Sequence, residues 1–199
     1  MPSDMFRSLV RAAALLGVAL IAGCASGPDV FINQDPAADF SKYKTYGFEE
    51  KLGTDRQTGS QSLVSTYLTR AVSRELDARG YRLADNPDLL VNFYVNTEEK
   101  IQSRSVPTSG GYYGYRGGYN AWGGYGGYET QISQFTEGTL NIDLIDAGKN
   151  QLVWEGAVTG KITKKVRENL ETAVNQATAE VFSYYPYEAG SGQSKFDTK

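Results

Sequence analysis

Apolar and polar residues alternate with a period of two in several stretches of the chain and with a helical period in two others. Val30-Phe31-Ile32 opens the first apolar stretch, and Asp35-Pro36 interrupts it because proline cannot donate to a sheet ladder. Tyr43, Thr45 and Gly47 then alternate with Lys44, Tyr46 and Phe48, a strand pattern with both faces partly covered. From Gln61 to Arg79, Val64, Leu68, Ala71, Val72 and Leu76 fall on one stripe of an amphipathic helix, and Gly80 is placed to end it in the left-handed region. After the turn Asn86-Pro87-Asp88, Leu89, Val91, Phe93 and Val95 alternate with Leu90, Asn92, Tyr94 and Asn96, which predicts a strand. Leu140, Ile142 and Leu144 alternate with Asn141, Asp143 and Ile145. Asp146 to Asn150 reverses the chain, and Leu152, Trp154 and Val158 continue on the returning strand of an antiparallel hairpin, with Trp154 in the core. A last helix carries Val166, Leu170, Ala173, Val174, Ala177 and Val181, and Pro186 stops its continuation.

This order predicts an α+β fold: a two-layer sandwich with a mixed or antiparallel sheet of about four strands and two helices on one face. The expected organisation is one domain over 29–186 with a flexible insert at 101–130 and a disordered tail at 187–199.

The N-terminus precedes that domain with a different pattern. Arg7 and Arg11 are followed by the uncharged run Ala12 to Ala22, which has the length of a signal-peptide core and is too short to span ~30 Å of hydrocarbon. Asp4 is unusual there, and a start at Met5 would leave a cleaner leader. Leu20-Ile21-Ala22-Gly23-Cys24 resembles the lipobox of bacterial lipoproteins. The resemblance implies removal of residues 1–23, a diacylglyceryl thioether and an N-acyl group such as palmitate on Cys24, and a tether over 24–28. Ala25 in place of aspartate favours export to the outer membrane, on its periplasmic side.

Residues 110–128, GGYYGYRGGYNAWGGYGGY, hold nine glycines and six tyrosines among nineteen residues. Glycine at this density is expensive in backbone entropy to order, so a mobile loop is expected. Tyr112, Tyr113, Tyr115, Tyr119, Trp122, Tyr125 and Tyr128 are the candidates for contact with a partner, because their rings offer apolar faces with a polar tip. The contrary reading is a low-complexity spacer between strands.

Composition removes several chemistries. The 199 residues include no histidine and one cysteine, which excludes a Ser-His-Asp triad, a Cys-His pair, histidine-ligated metal and an intramolecular disulfide. No calcium loop or phosphate loop is present, so no metal or other cofactor is expected. The net charge of −3 becomes −4 once Arg7, Arg11 and Asp4 are removed, so no basic field exists to hold nucleic acid. Glu137, Asp143, Asp146 and Glu155 are the carboxylates that could be paired for glycan hydrolysis. Asp143 and Glu155 alternate with apolar residues, which places them instead on the solvent face of a half-buried sheet.

Three segments resemble the bacterial envelope family known as domain of unknown function 4136. They are Asp39 to Tyr46; Arg79-Gly80-Tyr81 with Pro87 to Val91; and Glu137 to Asp146 with Leu152 to Gly156 behind it. The resemblance spans about residues 29–186 and implies a small α+β lipoprotein, with no activity or ligand attached. Phe48 departs from it where a tryptophan is expected, and the glycine–tyrosine insert is peculiar to this chain. The shared residues read as structural ones.

The functional expectation is an outer-membrane lipoprotein acting as a non-enzymatic accessory or interaction module. Its expected partners are the membrane through Cys24 and either peptidoglycan or another envelope protein. A carboxylate-dependent glycan hydrolase and a self-associating structural protein are the alternatives.

Overall fold

The computed structural model describes residues 27–107 and 128–192. One mixed sheet contains β1 (Asp29–Gln34), β2 (Thr45–Phe48), β3 (Arg82–Leu83), β4 (Leu89–Pro107), β5 (Tyr128–Asp146) and β6 (Gln151–Lys161). Their spatial order is β1-β6-β5-β4-β2-β3. β2 runs parallel to β3 and β4, and the remaining pairs are antiparallel. Helices α1 (Leu63–Asp77), α2 (Lys164–Glu168) and α3 (Leu170–Ser183) are present, with a 3-10 turn at Phe40–Lys42. The fold is α+β as expected. The six strands and three helices among the described residues replace the four and two read from periodicity.

Local chemistry explains the helix ends. Ser62 caps α1 by accepting from the Ser65 amide at 3.0 Å. At the other end the Tyr81 amide donates to the Leu76 carbonyl and the Gly80 amide to Asp77, with Gly80 at φ +85°. This paired arrangement ends the helix as expected for glycine at that position. The last helical stripe is one face but two helices. Thr163 caps α2, and the backbone breaks at Asn169 (φ −129°, ψ 51°) before α3 begins.

The core lies between α1, α3 and one face of the sheet. Leu68, Val72 and Leu76 of α1 and Val181 and Phe182 of α3 meet Leu89, Val91, Phe93, Ile142, Leu144 and Trp154. Gly156 permits this approach, because a Cβ there would overlap the Val181 methyl and the Trp154 ring. At one end Phe40 stacks on Tyr187 at 3.8 Å, and the hydroxyls of Tyr81 and Tyr185 are 2.9 Å apart. The tail expected to be frayed from 187 is therefore docked at its start. Ala189 and Gly190 donate to the Arg79 and Tyr43 carbonyls, which anchors the backbone where the aromatic cluster needs a lid.

Register decides two further points. A shift between Leu144 and Ile145 pairs Ile145 with Leu152, so Leu152 faces away from the helices while Trp154 faces them. The segment 101–130 was expected to be a flexible insert, yet β4 runs on to Pro107 and β5 starts at Tyr128. Cross-strand pairing carries this polar stretch on in register where composition suggested a loop.

Candidate interaction surface

The long hairpin β4–β5 is the feature that periodicity did not reveal. β6 stops pairing at Glu137↔Lys161, and β2 pairs with β4 only from Leu89 to Val91. From Glu99↔Thr136 to Pro107↔Tyr128 the two strands pair with each other and with no third strand among the described residues. At ~3.4 Å per residue these nine pairs form an arm on the order of 30 Å long beyond the body. Such a ribbon is marginal alone in water and exposes unpaired N–H and C=O groups along both edges. Its helix-side face shows Ile101 and Ile132, diagonal neighbours that are 73% and 72% exposed. Its other face carries Lys100 ion-paired with Glu137, and Lys161 over the Phe135 ring at 4.1 Å.

Of the residues singled out by sequence, Cys24, Tyr112, Tyr113, Tyr115, Tyr119, Trp122 and Tyr125 lie outside the described residues. Tyr128 opens β5 opposite Pro107 at the far end of the arm.

No helix among the described residues covers the other face of the sheet, although the loop at Gly53 closes over one end of it, its amide donating to Asn92 Oδ1 at 2.9 Å. Ladder register arranges this face in rows: Asn33, Glu155, Asp143 and Asn92 lie side by side, and next to them Phe31, Ala157, Asn141 and Tyr94. Phe31 and Tyr94 are 59% and 46% exposed, so two rings frame a polar strip. The next rows form a polar cleft of about 930 Å³, bounded by Asp29, Asn96, Glu98, Glu137, Thr159 and Lys161.

The four candidate carboxylates take different roles. Asp146 is structural: it accepts from the Tyr43 hydroxyl at 2.9 Å and the Lys149 amide at 3.0 Å. Burial alone would raise its pKa, but these partners outweigh it and hold the carboxyl below its usual value. Glu137 is paired with Lys100 and faces Glu98 in the polar cleft. Asp143 and Glu155 do sit on the face away from the helices, directly opposed. Burial, then the Glu155 charge, pushes Asp143 up to about 6. Asp143 lies six residues along β5 from Glu137, about 20 Å by strand rise. A glycoside hydrolase needs its two carboxyls within ~10 Å across one bond, so these two cannot act together.

A family profile described as Domain of unknown function (DUF4136) matches residues 30–187. The chain belongs to the DUF4136 family. No curated protein matches it in sequence. A DUF4136 family protein from Bacteroides thetaiotaomicron shares the fold at TM-score 0.50 and 17% identity, covering 82% of this chain and 98% of that one. A PDZ domain protein from Parabacteroides distasonis aligns at TM-score 0.49 and 13% identity over 80% of this chain; the chain spans 37% of that protein. PelC from Paraburkholderia phytofirmans, a dodecamer, aligns at 0.44 with 16% identity, over 82% of this chain and 99% of that one.

The segments that marked DUF4136 in the sequence sit at structural joints. Arg79 donates to Glu75 at 2.7 Å and to the Phe182 carbonyl at 2.6 Å, tying the end of α1 to the end of α3. The Asp88 carboxylate accepts from the Lys44 and Thr45 amides and from the Thr45 hydroxyl, at 2.8, 3.0 and 2.8 Å, fixing β2 beside β4. Phe48, where tryptophan was expected, packs edge-on against Tyr46 and meets Phe93. No helix among the described residues is long and apolar enough to cross a membrane.

Proposed function

We propose that this DUF4136 protein is a lipoprotein held at the periplasmic side of the outer membrane through Cys24, and that it works as a non-enzymatic interaction module of the cell envelope. The observation that carries the reading is the β4–β5 arm: a ribbon that extends beyond the core, with edges that pair with no other strand among the described residues, and with the aromatic glycine–tyrosine segment joining its two strands in sequence. Tyrosine and tryptophan rings suit stacking on a glycan or packing on a protein, and unpaired strand edges suit addition of an extended peptide. The partners that fit this chemistry are peptidoglycan or another envelope protein.

Deletion of residues 110–127 with Pro107 and Tyr128 retained, followed by envelope crosslinking and mass spectrometry, tests the reading. Loss of the partners captured by the intact chain is expected; an unchanged partner set sinks it. Anchoring is tested separately by Cys24→Ala, which should abolish labelling by a palmitate analogue.

Self-association is a second reading, favoured by the adjacent exposed Ile101 and Ile132 on an unpartnered ribbon. Light scattering of the chain with and without the arm separates the two.

A further inference from the structure

An apolar groove of about 410 Å³ opens at the arm-side end of the helix layer. Leu68 of α1, Leu140 of β5, Val158 of β6, Val166 of α2 and Leu170 of α3 line it. Its floor owes its depth to register. Gly138 and Gly160 are directly opposed on the helix-facing side of β5 and β6; the Ile162 side chain covers Gly138, where a Cβ would overlap it, and the floor stays open over Gly160. A Cβ on Gly160 would meet nothing within 4 Å. The helix stripe continues past the filled core over this gap, which is why Val166 and Leu170 are only half-buried.

The chain's own N-terminal segment meets this groove. Pro28 lies on its rim, one residue before β1 begins. Cys24 is four residues upstream, so it cannot be farther than about 14 Å from that rim even with the backbone fully extended. We infer that the groove takes one aliphatic acyl chain, the one carried on Cys24, and shelters it from water whenever no bilayer is available. This rests on the reading of Cys24 as the lipidated residue. Each methylene withdrawn from water strengthens such binding by roughly fourfold. The four-residue tether adds an effective concentration on the order of millimolar. A bilayer offers the same chain a larger apolar phase, so membrane insertion empties the groove.

The test uses the chain from residue 24 onward, made without its leader, so that Cys24 carries a free thiol. Because it is the only cysteine in the sequence, thiol alkylation with a hexadecyl reagent places a single C16 chain there. The fluorescent C18 fatty acid cis-parinaric acid should bind the unalkylated chain at one per molecule and be displaced by palmitate. Gly160→Leu, which fills the floor, should weaken the probe at least tenfold; if it misfolds, Ala177→Phe on the helix wall makes the same test. The hexadecyl-alkylated chain should not bind the probe until lipid vesicles are added. No saturable binding, binding unaffected by either folded variant, or full probe binding by the alkylated chain each overturns the inference. None of these outcomes depends on modification in the cell, so they are separable from the palmitate-labelling result for anchoring.

Discussion

Asp143 on β5 stands directly across from Glu155 on β6, two carboxyls side by side on the face of the sheet away from the helices. Asn92 and Asn33 flank them in the same row, so no cation lies in the row to balance the pair. Burial and then Glu155 raise Asp143 from 3.8 to about 6. The folded protein therefore retains a proton that the unfolded chain releases. The associated stability is complete below pH ~3.8 and is lost as pH rises through 6.

Asp143→Asn removes this titration. At pH 7.5 the variant should be more stable than the parent by roughly 1 kcal/mol, after discounting for solvent screening at a half-buried site. At pH 4 the two should coincide. Urea midpoints at the two pH values check it, and an equal difference at both would refute the assignment.

Asp88→Ala should destabilise the fold by about 2 kcal/mol, because three hydrogen bonds to one carboxylate are lost where β2 meets β4. Here the folded pKa is lowered: burial opposes the charge, but the Lys44 and Thr45 amides and the Thr45 hydroxyl outweigh it. The parent's advantage over the variant should thus be present above the unfolded value and shrink as pH falls below it. Thermal melts at pH 7 and pH 3 measure both parts.

Gly156→Ala and Gly160→Ala form a matched pair on one strand. The first drives a methyl into Val181 and Trp154 and should cost about 1–3 kcal/mol. The second enters open space and should stay within ~0.5 kcal/mol. Equal effects in chemical denaturation would show that α3 does not pack as closely as described.

The arm should exchange its amide hydrogens far faster than the body of the same strands. Protection at Val91 and Phe93, which are fully buried, should approach the global stability, and protection at Ile101 and Gln102 should be close to none. Replacing residues 99–136 by Asn-Gly, which keeps Glu98 opposite Glu137, should leave cooperative unfolding intact. Loss of cooperativity would mean that the arm belongs to the core.

Periodicity, caps and turns were legible because they depend on neighbours in the chain. The stripe Leu68 to Leu76, the Gly80 helix end, the alternation of Leu89 to Phe93 and the reversal after Asp146 all follow from side-chain spacing and backbone preference. The lipobox-like run before Cys24 and the absence of histidine were equally plain, since each is a statement about composition or a short motif. Register was not legible. A single extra residue between β5 and β6 turned Leu152 to the opposite face, and a polar stretch was carried into the arm by its partner strand. The opposition of Asp143 to Glu155, and of Gly138 to Gly160 under the groove, joins residues twelve or more positions apart. Such neighbours are set by which strands align and how far each helix reaches over them, and only the packed structure decides that.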